Sequence, residues 1–183
     1  MTPRVFMPYK LSAVYRSHLA LGARWVEEGE WRLPETFADP EVEARQTRQA
    51  VGLQDVSESG KLDLKGREVE WLVACLGPER LSVLRLTPEH ILLLTPPGLQ
   101  TEIAETLFQT LSRAQRCAHV TDVTGDLSAF AVGGPKAREL LARLTSLDLR
   151  PQVFPDGACA QGGLADVHSI VLREDWGSLP AYR

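Results

Sequence analysis

The side chains with which this chain could do chemistry are four histidines, three cysteines and a scatter of carboxylates. His18, His90, His119 and His168 fall on separate predicted elements. None has a second ligand at metal spacing on its own element, so the pattern predicts surface or hydrogen-bonded imidazoles rather than a metal centre. Cys117 and His119 alternate onto one face of a predicted strand and are the one local pair from which a thiolate nucleophile could be built. Nothing adjacent supplies a group to orient the ring. Cys75, Cys117 and Cys159 are odd in number and far apart, which is neither a disulfide framework nor a zinc signature. They are expected to be reduced and buried as small apolar residues. Gly133-Gly134-Pro135-Lys136 invites a phosphate-loop reading, but it matches neither GxGxxG nor GxxxxGK[ST], and Pro135 removes a backbone donor. It reads instead as a strand-to-helix turn.

The bulk numbers restrict the partners. With 183 residues, 44% hydrophobic and 24% charged, the chain can bury an ordinary core without staples. A net charge of -4 and the absence of a basic stripe between the aromatics argue against nucleic acid. Met1–Lys10 has no apolar signal-peptide region, and apolar runs such as Ile91–Leu94 are far too short to cross a bilayer. The expected setting is cytoplasmic, with no membrane partner.

The elements that must position any site can be read from periodicity and punctuation. Leu11–Glu28 reads as a helix with Ser12 as N-cap and Gly29 as stop. Trp31–Pro34 reads as a loop or short edge strand. Asp39-Pro40 opens a helix that runs to about Val51. Leu53–Val56 and Lys61–Leu64 are predicted strands, and Val69, Leu72, Val73 and Leu76 mark a helix closed by Gly77-Pro78. Leu81–Leu86 and Ile91–Leu94 form a predicted hairpin. Leu99–Ala114 is an amphipathic helix with Ile103, Leu107, Phe108 and Leu111 on one side. His119–Val123 and Leu127–Val132 are strands, followed by a helix to Leu144 with Leu140, Leu141 and Leu144 facing the core. Ala158–Leu164 and His168–Leu172 pair after the turn at Phe154-Pro155-Asp156-Gly157. The expected fold is a single α+β domain over residues 1–183, built on a mixed, largely antiparallel sheet with helices on one face.

Three stretches, in order, resemble one family. They are His18–Val26 with Gly29–Pro34, Arg48–Ser57 with Gly60–Gly66, and Asp122-Val123-Thr124 with Leu127–Val132 and Gly134–Leu141. They are similar to the folate-binding half of the glycine-cleavage T-protein, or aminomethyltransferase, family. Leu86–Gly98 and Leu147–Gln161 resemble the gamma subunit of heterotetrameric sarcosine oxidase. The resemblance implies α+β modules around a hole that holds tetrahydrofolate. It also implies transfer of an aminomethyl group from a lipoyl arm, helped by a carboxylate near the folate nitrogen. The family's catalytic aspartate belongs to a loop that is shortened here between Gly77 and His90, which carries Glu79 and Glu89 but no aspartate. Its His-Met before the strand glycine is Glu58-Ser59 here, and its acidic pterin segment is Arg173–Ser178. The residues so implied for folate are Ser59, Glu174, Asp175, Trp176 and Tyr182, the carboxylates as hydrogen-bond acceptors and the aromatics as stacking surfaces; no catalytic residue carries over.

The expectation is therefore an aminomethyltransferase-like protein of one-carbon metabolism that binds tetrahydrofolate weakly and lacks full catalytic equipment. The alternative is a non-catalytic subunit of a sarcosine-oxidase-like complex. Leu179–Arg183 reads as the start of a strand, so a homodimer or hetero-complex contact is expected around His168–Arg183.

Overall fold

The computed structural model describes residues 9–77 and 81–183. The chain begins with β1 (Lys10–Leu11), α1 (Tyr15–Ala20), β2 (Arg24–Glu28) and β3 (Trp31–Thr36). The long first helix expected from the sequence is therefore corrected to one short helix and a hairpin. Gly22 at φ +78 ends α1, and Gly29 at φ +59 turns the hairpin rather than stopping a helix. Trp25 and Val26, good strand formers, then pair antiparallel with Pro34 and Leu33. Ser12 accepts the Val14 amide at 3.3 Å but is not the N-cap, which is Val14 itself. Pro34 is tolerated because β1 reaches only Trp31 and Arg32, leaving β3 an edge at that point.

The second helix, α2 (Pro40–Gln49), starts as expected: the Asp39 carboxylate accepts from the amides of Glu41 and Val42. After it come β4 (Gly52–Asp55), β5 (Gly60–Lys65), α3 (Val69–Ala74), β6 (Ser82–Thr87), β7 (His90–Thr95) and α4 (Gln100–Ala114). The chain then runs through β8 (His119–Asp122), β9 (Phe130–Gly133), α5 (Ala137–Ala142), β10 (Cys159–Leu164), β11 (Val167–Leu172) and β12 (Ala181–Tyr182).

The principal sheet has the order β6-β7-β5-β8 and is antiparallel throughout. Leu62 and Leu64 face Leu93 and Ile91 in register, and α3 and α4 seal this side with Val69, Leu72, Leu107 and Leu111. The other face carries Leu84, Leu92 and Leu94, which pack on Leu172 and Ile170 of the β10-β11 hairpin. Coverage on both sides explains the unbroken buried run Ile91–Thr95, where alternation would be expected of a half-exposed strand. A second sheet, β12-β9-β4, backs a third core of Ala137, Leu141, Leu149, Phe154, Val171 and Tyr182. The expected α+β architecture is present, its described strands pairing antiparallel except for β1 with β3.

Some facing assignments need correction. Phe108, Leu140 and Leu144 are 51%, 39% and 44% exposed. The buried stripes are Leu107-Leu111 on α4 and Ala137-Leu141 on α5, so Phe108 and Leu140 lie one residue, a rotation of about 100°, off the apolar stripe. Leu144 lies past the end of α5. All three cysteines are free, but Cys75 and Cys117 are exposed and only Cys159 is half-buried, so the expectation of buried cysteines fails. Ala181 and Tyr182 are buried at 1% and 2%, paired to β9, so that part of the C-terminal segment is not an open apolar edge.

Candidate functional site

One end of the principal sheet gathers five separate pieces of chain. Ser59 lies in the turn before β5, Ser82 begins β6, and Leu94-Thr95 ends β7 and leads into Pro96-Pro97. Glu174 follows β11, and Arg183 follows β12. With Leu81 these residues line a cavity of about 410 Å³, within the range of roughly 300–1,000 Å³ usual for small-molecule sites. Gly60 lets β5 start hard against the wall: a Cβ there would stand 2.2 Å from Thr95 Oγ1 and 2.7 Å from the Gln100 Cβ.

The cavity is polar at one rim. Ser82 Oγ donates to Glu174 Oε1 at 2.5 Å. Glu174 Oε2 lies 3.0 Å from Arg183 Nε, close enough for strong attraction. That contact does not have hydrogen-bond geometry, however, and both atoms are buried without a hydrogen-bond partner among the described residues. The two observations are compatible: the charges attract, while the N–H direction leaves both atoms with unused bonding capacity.

Behind Ser59 sits a buried polar network. Lys61, 1% exposed, donates its ammonium to the carbonyls of Ser57 and Ser59 at 3.0 and 2.9 Å. Burial pulls its pKa down to about 8, against the opposing attraction of Glu58, Asp55 and Asp122. Burial pushes the Glu58 carboxyl up, with the nearby Asp55 and Glu28 charges adding to the rise. Asp55 is hydrogen-bonded to His18 Nε2 at 2.8 Å and accepts from the Ser57 hydroxyl at 2.6 Å and the Ser57 amide at 3.0 Å. Burial alone would raise the Asp55 pKa, but the hydrogen bonds from Ser12, Ser57 and His18 together outweigh it and hold the carboxyl below its usual range. Serine, histidine and aspartate meet here, yet both partners bond to the aspartate and the histidine does not stand between. Such an arrangement builds structure and does not activate the hydroxyl.

Of the residues singled out in the sequence, Ser59 and Glu174 line the cavity, whereas Asp175, Trp176 and Tyr182 do not. Asp175 accepts from Arg173 Nε and Nη2 at 3.0 and 2.8 Å, and this pairing lowers its pKa. Trp176 lies on Gly133, where a Cβ would come within 2.2 Å of its ring. Tyr182 is packed among Leu141, Phe154 and Val171, with its hydroxyl unpaired among the described residues. Arg183, Ser82 and the Thr95-Pro96-Pro97 wall were not anticipated; nothing in their local spacing marks them, because the cavity exists only once distant strand ends converge. Cys117 and His119 are both exposed. No group of three or more His, Cys, Asp or Glu that could hold a metal occurs among the described residues. Glu89 is an exposed turn residue 3.7 Å from Arg67, and Glu79 lies outside the described residues. No helix among the described residues is long and apolar enough to cross a membrane.

Comparison with known proteins adds a second line of observation. A family model described as the GCVT N-terminal domain matches residues 14–82 and 79–178. The sarcosine oxidase subunit alpha of Corynebacterium sp. (strain U-96) is 27% identical over 182 residues, covering 80% of this chain and 19% of that one. An aminomethyltransferase of Thermus thermophilus is 29% identical over 175 residues, covering 80% of this chain and 49% of that one. The chain thus spans about half the length of the aminomethyltransferases it matches and a fifth of the oxidase subunit. Among solved structures, the glycine cleavage system aminomethyltransferase T from Bartonella henselae aligns with a TM-score of 0.73 at 18% identity, over 94% of this chain and 52% of that one. A chain of the heterotetrameric sarcosine oxidase from Corynebacterium sp. U-96, in complex with pyrrole 2-carboxylate, aligns with a TM-score of 0.67 at 20% identity, over 94% of this chain and 84% of that one. These two likenesses establish a shared fold.

Proposed function

This chain belongs to the GCVT N-terminal domain family, and we propose that it binds a reduced folate in the cavity between Ser59, Thr95, Glu174 and Arg183. The observation that carries this reading is the cavity itself, in which the charged Glu174 and Arg183 stand with Ser59, Ser82, Thr95 and an apolar leucine and proline wall. Glu174 and Arg183 give the cavity a charged, polar side for a pterin ring, and the leucine and proline wall takes its faces. Ser59 lines the same cavity. Asp175, Trp176 and Tyr182 act in this reading as anchors: the Arg173 pair, the Gly133 contact and the core burial of Tyr182 hold the segment that presents Glu174 and Arg183.

The same module does not complete aminomethyl transfer by itself. Among the described residues no aspartate lines the cavity, and the carboxylate that does, Glu174, already accepts from Ser82 and lies beside a guanidinium. A group so engaged is poorly suited to take a proton from the folate nitrogen, and losing a positioned base costs about 10²–10⁴-fold in rate. A second reading, a non-catalytic subunit of a sarcosine-oxidase-like hetero-complex, is favoured by the match to a stretch making up 19% of a sarcosine oxidase subunit. Such a module can serve folate binding within a larger assembly, so the two readings are compatible.

Calorimetry with 5-formyltetrahydrofolate tests the proposal. The expected affinity is micromolar or weaker, and Glu174→Ala should weaken it about tenfold or more, the worth of a charge-assisted hydrogen bond. A transfer assay with a reduced lipoyl carrier and tetrahydrofolate should give turnover far below the ~1 per second of slow competent enzymes. Unchanged affinity in Glu174→Ala would place any folate site elsewhere.

A further inference from the structure

We infer that Lys61 is a positioning residue for the cavity: its charged ammonium holds the crown of the turn that carries Ser59, and ligand affinity is thereby linked to the proton on Lys61. The inference takes its ligand from the folate reading above and adds a residue that itself touches no ligand. The turn spans residues 56–59 and is closed by the Ser59 amide, which donates to the Val56 carbonyl at 3.1 Å. Both of its roots are pinned without the lysine side chain. Before the crown, Asp55 accepts from the Ser57 amide and hydroxyl at 3.0 and 2.6 Å. After it, the Lys61 amide donates to Thr124 Oγ1 at 3.0 Å, and the Lys61 carbonyl accepts from the Val123 amide at 2.9 Å. Between these roots the ammonium donates to the carbonyls of Ser57 and Ser59 at 3.0 and 2.9 Å. Ser59 lines the cavity and Lys61 does not, so the lysine acts on the cavity only through the turn.

The strength of this hold depends on charge. The charged groups that face the ammonium are Asp55 at the end of β4, Glu58 in the turn and Asp122 at the end of β8. At 1% exposure the group is cut off from water, and burial outweighs the attraction of the three carboxylates, bringing its pKa down to about 8. It therefore loses its proton in mildly alkaline solution, where ordinary lysines keep theirs. The neutral amine has two donors in place of three, and its bonds to the carbonyls lose their charge assistance, roughly half their strength. With both roots still pinned, the loosening is confined to the crown. A ligand that needs the crown in place prefers the protonated form, and by reciprocity its binding raises the pKa of Lys61. The signs separate this role from a structural one: deprotonation makes the folded chain more stable and the cavity less well formed.

The test uses the full chain and 5-formyltetrahydrofolate, with affinity measured by ligand-observed NMR from about pH 7 to about pH 9.5, a window that brackets the Lys61 titration. Wild-type affinity should fall about threefold or more across it. Lys61→Met should bind more weakly with a flat profile, and Lys61→Arg, charged throughout, should hold its affinity to the top of the window. The wild type alone supplies a second readout. The Lys61 Cε resonance and the amides of Glu58 and Gly60, which follow the two clamped carbonyls, should titrate together, and the ligand should move their shared midpoint upward. A flat wild-type profile, the same fall in Lys61→Met, or a Lys61 midpoint that the ligand leaves in place overturns the inference and leaves the folate reading standing. No binding of 5-formyltetrahydrofolate anywhere in the window ends both.

Discussion

Lys61 carries a charge into a place where almost no water reaches it, at 1% exposure. The two carbonyls it holds belong to the turn that delivers Ser59 to the cavity. A pKa lowered from 10.5 to about 8 corresponds to a penalty of roughly 3 kcal/mol on the charged form. The sign follows from proton counting. Below about pH 8 the ammonium is charged in both folded and unfolded chains and the penalty is present in full. Between about pH 8 and 10.5 the unfolded chain holds the proton that the folded chain has released, so this group makes stability rise with pH. Urea unfolding of wild type and Lys61→Met should show the wild type gaining roughly 2–3 kcal/mol on the variant between pH 7.5 and 10.5. A difference that stays flat across that range would contradict the account. At this scale the sequence was partly readable. Ser59 and Glu174 were identified through the family pattern and both line the cavity. Arg183 was missed because an arginine beside a two-residue strand reads as a solvated charge until its neighbours in space are known. Tyr182 was assigned by its aromatic type, and burial against Leu141 and Phe154 instead decided where its ring lies.

Elements whose signals are local were read well. Asp39-Pro40 capped α2 as its side-chain chemistry requires, and the β6-β7 and β10-β11 hairpins formed where turn residues separate apolar runs. Leu11–Glu28 is not one helix because Gly22, at positive φ, ends α1. The Gly133-Gly134 pair between β9 and α5 is the sharpest element-scale test. Gly134 sits at φ +125, with a would-be Cβ 2.5 and 2.6 Å from the carbonyl oxygens of Thr47 and Ala50 at the end of α2. Gly133 faces the Trp176 ring, a side chain 38% exposed and free on one side to give way. Gly134→Ala should therefore cost about 3 kcal/mol or more, since backbone cannot move aside. Gly133→Ala should cost less. Denaturant midpoints for the two variants check the order, and a larger loss for Gly133→Ala would refute it.

On the scale of the molecule, the alternation of strands and helices was enough for an α+β reading, but the cavity was not visible in any one segment. Residues 59, 81–82, 94–97, 174 and 183 meet only because the β5-β7 and β6-β7 registers bring strand ends together and the β12 strand folds back onto β9. The second covering layer of the principal sheet was likewise invisible, since a hairpin far along the chain supplies it. The central claim is that a reduced folate occupies this converged end of the sheet. The most direct measurement is an amide NMR titration of the full chain with 5-formyltetrahydrofolate up to millimolar concentration. The account predicts saturable shifts concentrated at Ser59, Ser82, Thr95, Glu174 and Arg183, with the exposed outer side of α4 around Phe108 unmoved. Shifts confined to another surface, or none at all, would contradict it.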